Sequence, residues 1–260
     1  MRLLVSAADA ADARAALDGG ADIVDAKDPR RGGLGAVQPD TLRAMIAAVG
    51  AHRPVSAALG DASDEGEVAH AAREAAALGL AFVKVGFAGI TSAARVRGLL
   101  AAAADGVREG NASTQVIAVA YADAHRAGSL APSAVPELAG RAGADGILLD
   151  TARKDGGGLF TYLAPNTIRA WLDMARGDEL LTAVAGKLGE ADFAAVRDLD
   201  ADIVGVRGAA CDGGREGRIS ASRVRALYVS LTGHLPPVAE ERPETPQVSR
   251  TEHDRPYLLR

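Results

Sequence analysis

Gly20-Ala21-Asp22-Ile23-Val24-Asp25-Ala26-Lys27 reads as the stop of a helix, a turn and a strand that finishes on a lysine. A glycine in the left-handed conformation ends a helix at no steric cost, and the apolar strand starts two or three residues later. The same phrase returns as Gly143-Ala144-Asp145-Gly146-Ile147 and Asp200-Ala201-Asp202-Ile203-Val204, with Gly79-Leu80-Ala81-Phe82-Val83 a looser copy. Outward from these four phrases, eight β-rich runs can be counted: Leu3 to Ser6, Ile23 to Lys27, Pro54 to Ala58, Phe82 to Gly86, Val116 to Tyr121, Gly146 to Asp150, Leu180 to Ala185 and Asp202 to Arg207. The repeated phrases enter the even-numbered runs. Between the runs lie alanine-rich stretches of helical period: Ala8 to Leu17, Pro39 to Val49, Glu65 to Leu78, Ala93 to Ala103, Ala134 to Ala142, Asn166 to Ala175 and Glu190 to Leu199. Strands separated by helices must run parallel. Eight such units in a 260-residue chain predict a single (β/α)8 TIM barrel over residues 1–233.

Beyond Gly233 the composition changes. Five of the chain's eleven prolines fall in residues 234–260, too many for a helix or a central strand, and a flexible C-terminal tail is expected there. A net charge of −5 with only 3% aromatic residues argues against nucleic acid as a partner. The single Cys211 allows no internal disulfide and no zinc cluster, so a cytoplasmic setting is expected. No apolar run is long enough to span a bilayer. The helix-rich exterior of a barrel makes a symmetric homo-oligomer the expected assembly.

In such a barrel the chemistry sits where the strands end. Side chains alternate along a strand, so Ile23, Asp25 and Lys27 share the face that points into the barrel. Phe82-Val83-Lys84-Val85-Gly86 embeds a second lysine among apolar residues. Burial and a neighbouring ammonium both lower a lysine's pKa, which is how it becomes a neutral nucleophile. Each lysine could instead simply pair with a carboxylate such as Asp25 or Asp28. The sixth run ends in Asp150, followed by Lys154 on a glycine-flanked loop, where contact with a substrate phosphate or with solvent is the ordinary role. Tyr121, Asp123 and His125 would share a face if the fifth strand continued, giving a proton relay or phosphate contact. The last two runs end in Gly186 and in Arg207-Gly208, where backbone N–H groups can hold phosphate. The segment Gly213-Gly214-Arg215-Glu216-Gly217 extends the last loop and reads equally as a surface turn.

Taken together, Asp25-Ala26-Lys27-Asp28-Pro29 with Gly33-Leu34-Gly35-Ala36, Val83-Lys84-Val85-Gly86, Tyr121-Ala122-Asp123-Ala124-His125-Arg126-Ala127-Gly128-Ser129 and Asp150-Thr151-Ala152-Arg153-Lys154-Asp155-Gly156 resemble the (5-formylfuran-3-yl)methyl phosphate synthase family of methanofuran biosynthesis. The resemblance runs from Leu3 to about Val229. It implies a TIM-barrel lyase, free of metal and organic cofactor, that joins two molecules of glyceraldehyde 3-phosphate with loss of one phosphate and water. It places the Schiff-base lysine on Lys27 and a proton-transferring lysine on Lys84, with Asp25, Asp150 and Lys154 in support. The chain departs from the family in its alanine at 26 and aspartate at 28, where valine and asparagine are expected. Its composition looks like that of a bacterium handling one-carbon units on methanofuran-like carriers. The lysines alone leave open another class I aldolase acting on a phosphorylated aldehyde, or a sugar-phosphate sensor on the same scaffold.

Overall fold

The computed structural model describes residues 1–237. Eight parallel strands, β1 (Arg2–Ala7), β2 (Ile23–Ala26), β3 (Val55–Asp61), β4 (Phe82–Gly86), β5 (Gln115–Tyr121), β6 (Gly146–Asp150), β7 (Leu181–Val184) and β8 (Ile203–Val206), pair in chain order and close on themselves through β8 and β1. All eight expected runs are strands of one closed barrel. The crossovers are α1 (Ala10–Asp18), α2 (Pro39–Val49), α3 (Glu65–Ala77), α4 (Ala93–Gly110), the short α5 (Ala124–Ala127) with α6 (Val135–Arg141), the short α7 (Leu159–Tyr162) with α8 (Pro165–Gly177), and α9 (Phe193–Leu199). A hairpin, β9 (Cys211–Asp212) with β10 (Arg218–Ile219), follows β8, and α10 (Ala221–Thr232) closes the ring.

Local chemistry explains the boundaries. Asp9, Asp64 and Ser92 cap α1, α3 and α4 by accepting first-turn N–H groups. The repeated helix-stop phrase behaves as its composition demands: Gly20, Gly79, Gly143 and Asp200 all have positive φ, from 56° to 94°. Its aspartate has a further job. Asp22, Asp145 and Asp202 each turn a carboxylate oxygen to the neighbouring odd strand and accept the N–H of Leu3, Val116 and Thr182, at 2.8 Å in every case. The looser copy carries Ala81 at this place; its N–H donates to Val55 O, but it has no carboxylate to complete the exchange.

Outward-facing strand residues such as Val5, Val24, Val83, Ile147 and Val204 pack against alanine-rich helix faces and form the larger core. Small residues let the helices approach closely. A Cβ at Gly106 of α4 would lie 2.1 Å from the carbonyl oxygen of Ala69 in α3, so only glycine fits that crossing. The domain boundary expected at 233 needs refinement: Pro236 packs against Gly20 and Arg53 donates to Pro237 O, so residues 234–237 lie on the barrel. The rest of the expected flexible tail, 238–260, lies outside the described residues. Among the described residues, no helix is long and apolar enough to cross a membrane.

Candidate active site

The strand register, combined with the barrel's stagger, stacks the inward side chains in rings of four taken from alternate strands. Rising from the bottom, the rings are Ile23, Phe82, Gly146 and Ile203; Leu4, Ser56, Ile117 and Ala183; Asp25, Lys84, Leu148 and Gly205; Ser6, Ala58, Val119 and Ala185; and Lys27, Gly86, Asp150 and Arg207. The lower two rings are apolar but for Ser56, and Leu4, Phe82, Ile117 and Ile203 form the cavity floor. Polarity enters with Asp25 and Lys84 and dominates at the mouth. On the β7 and β8 side, Ala183, Ala185 and Gly205 leave space that larger residues fill elsewhere. There a cavity of about 430 Å³ descends into the barrel, a size suited to small organic ligands.

Asp25 is fully buried and accepts from Ser6 Oγ at 2.9 Å, Ser56 Oγ at 2.7 Å and Lys84 Nζ at 2.5 Å. Burial alone pushes its carboxyl up, but Lys84, Lys27 and these donors outweigh burial and hold it below the usual carboxylate range. Asp25 does not line the cavity. Its oxygens are committed, so it acts as the partner that holds Lys84 in place. At the opposite side, Lys154 Nζ reaches Asp150 Oδ1 at 2.7 Å and Thr151 Oγ1 at 3.1 Å. Burial likewise opposes the charge on Asp150, and Lys154 and Lys27 outweigh it.

Two carboxylates therefore serve two lysines, and Lys27 is the third. It lines the cavity and is buried, and among the described residues it has neither a salt bridge nor a side-chain hydrogen bond. Burial lowers its pKa to about 7, against an upward pull from Asp150; Lys84 and Lys154 push it down further, and Asp25 pulls up. The simple pairing of Lys27 with Asp25 or Asp28 is not what the chain adopts. Asp28 caps the turn Pro29–Arg31 and pairs with Arg30 instead. An amine with this pKa has a large neutral fraction at neutral pH, which a nucleophile requires.

The remaining expected residues divide. The fifth strand stops at Tyr121, so Tyr121, Asp123 and His125 do not continue on one face. Asp123 is buried and accepts the N–H groups of Ala152 and Arg153, at 2.7 and 2.9 Å. It thereby bends the loop after β6 and turns Lys154 back to Asp150. His125 is exposed, with its ring 6.0 Å from that of Tyr162, and does not line the cavity. Neither residue is placed to hold substrate phosphate directly. Tyr121 donates to Asp61 Oδ1 beneath Leu34 and Gly86; its pKa is raised well above the ordinary value by burial first and by Asp61 second.

Gly186 and Gly208 do line the cavity, on the loops after β7 and β8. Gly186 has φ 111°, and a Cβ there would press on Leu159 and Thr151. Arg207 also borders the cavity, but its guanidinium is occupied. Nε donates to Arg215 O, Nη1 to Ser6 O and Asp12 Oδ2, and Nη2 to Asp12 Oδ2 and Gly217 O. Those five bonds use all five donors of an arginine, and none remains for phosphate. The sequence pointed to the wrong half of the loop: Arg215, read as part of a possible surface turn, lines the cavity, as does Lys187. Among the described residues, no three His, Cys, Asp or Glu side chains gather as a metal site would.

Comparison with known proteins agrees with this arrangement. The family described as 4-HFC-P synthase matches residues 3–228. The (5-formylfuran-3-yl)methyl phosphate synthase of Methanopyrus kandleri is 43% identical over 233 residues, covering 88% of this chain and 98% of the relative. That of Archaeoglobus fulgidus is 34% identical, covering 90% and 100%. In fold, the chain is similar to 3-hexulose-6-phosphate synthase from Salmonella typhimurium (TM-score 0.63, 20% identity, 90% of this chain and 100% of that one) and to phosphoribosyl anthranilate isomerase from Thermus thermophilus (TM-score 0.60, 19% identity, 90% and 99%). With eight strands closed in order, two lysine–carboxylate pairs towards their C-terminal ends and a family match over residues 3–228, the chain belongs to the 4-HFC-P synthase family of TIM-barrel enzymes.

Proposed function

We propose that this enzyme condenses two molecules of glyceraldehyde 3-phosphate into (5-formylfuran-3-yl)methyl phosphate, with release of one phosphate and two waters, in methanofuran-type cofactor biosynthesis, and that it does so through a Schiff base on Lys27. The observation that carries this reading is the buried Lys27, unpaired among the described residues, beside two lysines that already hold their carboxylates. The relatives' names supply the product.

In this mechanism the neutral Lys27 amine adds to the aldehyde carbon of one triose phosphate, and loss of water leaves an iminium. The iminium withdraws electrons from the adjacent carbon, whose proton becomes removable. Lys84 and the Lys154–Asp150 pair border the same cavity and can carry protons to and from that carbon and the departing oxygens. Loss of the C3 phosphate from this enamine leaves an enol whose C3 adds to C2 of the second triose phosphate in its keto isomer, forming the new carbon–carbon bond. The C1 hydroxyl of that second molecule closes on C2 of the first, loss of two waters gives the furan, and return of water to the iminium frees Lys27 and leaves the formyl group. The floor of the cavity, with Leu4, Phe82, Ile117, Leu148 and Ile203, is largely apolar, which favours the neutral amine and the flat ring alike.

Borohydride reduction in the presence of glyceraldehyde 3-phosphate tests the proposal. It should add the reduced substrate's mass to the peptide that contains Lys27, and mass spectrometry of unreduced reactions should show the furan phosphate. Adducts confined to Lys84 or Lys154, or a phosphorylated product without the furan, would refute it.

A further inference from the structure

Arg207 and Arg215 lie on the same loop and border the same cavity, but they are employed differently. The five donors of Arg207 are consumed by Asp12 and by the carbonyls of Ser6, Arg215 and Gly217. One of those bonds, at 2.8 Å, fixes the backbone of Arg215 itself. The Arg215 side chain is half-buried and faces the cavity with Gly208, Gly214 and Lys187. Among the described residues it has no salt bridge, and its one side-chain hydrogen bond donates from Nη2 to Gly32 O at 2.9 Å. It reaches from the loop after β8 to the loop after β2, the strand that leads into Lys27.

A guanidinium partly withdrawn from water, with no carboxylate of its own and most of its donors free, is a site prepared for an anion. Burial lowers the pKa of Arg215, and Asp150, the carboxylate that pulls it back up most, is already held by Lys154. The planar fork matches two oxygens of a phosphate monoester. We infer that Arg215 recognises the phosphate monoester of the substrate and determines the enzyme's preference for phosphorylated aldehydes, with Arg207 as the residue that positions it. The inference rests on the reading of Lys27 as a Schiff-base nucleophile for the identity of the substrate, and on geometry alone for the anion.

The test compares the wild-type full chain with Arg215→Gln and Arg215→Lys. Borohydride trapping at Lys27 is titrated with glyceraldehyde 3-phosphate and, separately, with glyceraldehyde, and the ratio of half-saturating concentrations is read. Arg215→Gln should reduce the preference for the phosphorylated aldehyde by about 10- to 100-fold, the range of a lost charge-assisted hydrogen-bonded contact. Arg215→Lys should keep part of it as a point charge. An unchanged preference, whatever happens to the two aldehydes together, overturns the assignment. If the wild type traps neither aldehyde, the Schiff-base reading fails, and a calorimetric titration with inorganic phosphate decides Arg215 separately. Binding to the wild type that weakens at least tenfold in Arg215→Gln supports the inference; equal binding, or none in either, overturns it.

Discussion

Asp202, where β8 begins, and Lys27, just after β2 ends, are charged side chains at opposite rims of one sheet, and the barrel treats them in opposite ways. Asp202 accepts the N–H and the hydroxyl of Thr182, at 2.8 and 2.7 Å, and Asp22 and Asp145 serve their neighbouring strands similarly. Each charge there binds a backbone group that would otherwise lack a partner. At the mouth, Lys27 is buried and has no salt-bridge partner among the described residues. The lower rim spends its charges on holding strands together. The upper rim keeps one amine in an environment that disfavours its protonated form, which makes it reactive at the expense of stability.

The sharpest way to break this contrast is Lys27→Met. Turnover and borohydride trapping should fall by at least about 10⁴-fold, because no other residue replaces a covalent nucleophile. Thermal unfolding should show a gain on the order of 4 kcal/mol at pH 6 to 7. The sign follows from linkage. The pKa of Lys27 is lowered in the fold from 10.5 to about 7, so the unfolded chain binds more protons between those values and wild-type stability rises with pH across that window. The gain from Lys27→Met should therefore be largest below pH 7 and vanish above about 10.5.

Removing a paired lysine should act less completely. Lys84→Met is expected to lower turnover by about 10²- to 10⁴-fold, as for lost acid–base catalysis. It should also move the pH midpoint of trapping upward, since it removes a positive neighbour of Lys27 and leaves Asp25 uncompensated. Asp150→Asn should move that midpoint downward by deleting the strongest upward pull on Lys27. Shifts in the same direction in both variants would contradict the electrostatic account.

At the lower rim the effects should be smaller and confined to stability. Asp202→Ala should cost about 1 to 3 kcal/mol in denaturant unfolding, the penalty of leaving buried donors unpaired, while kcat and KM stay at wild-type values. Ala81→Asp should restore the missing member of the series by accepting the N–H of Val55, and should stabilise the barrel by about 0.5 to 1 kcal/mol. A destabilised Ala81→Asp chain would show that the reciprocal pairing seen at Asp22 and Asp145 does not transfer to β3 and β4.

The strands were legible because apolar runs recur along the chain and a left-handed stop precedes each even-numbered one, so that Gly20, Gly79 and Gly143 needed no tertiary information to be read. Helix α10 went unread because Arg223 and Arg225 interrupt a stripe, Val224, Leu227, Tyr228 and Leu231, that is buried all the same. At the site, period-two alternation put Asp25 and Lys27 inside, Lys84 was read only as embedded among apolar residues, and the family resemblance named all three. The sequence could not show how they pair, because the bond from Lys84 to Asp25 crosses two strand intervals and the choice of partner is made in three dimensions. The same holds for Asp123, whose two backbone donors lie some 30 residues away. Arg207 and Arg215 are indistinguishable by residue type; only the five side-chain hydrogen bonds of the first, against one for the second among the described residues, separate them.

Arg207 also has a bearing on how the chain assembles. It joins β8 to Ser6 in β1 and to Asp12 in α1, contacts that span 201 and 195 positions. During synthesis β1 can pair with β2 early, while its other edge waits for β8. An unpaired edge exposed for so long is a hazard for association with other chains, and its closure depends on the last strand to emerge. The bonds that close it also seat the 211–219 hairpin, since Asp12 accepts the N–H of Ile219. The wall that carries Arg215 is thus built in the same event that seals the barrel, so chains arrested with the first strand still open should be unable to gather an anion at the mouth.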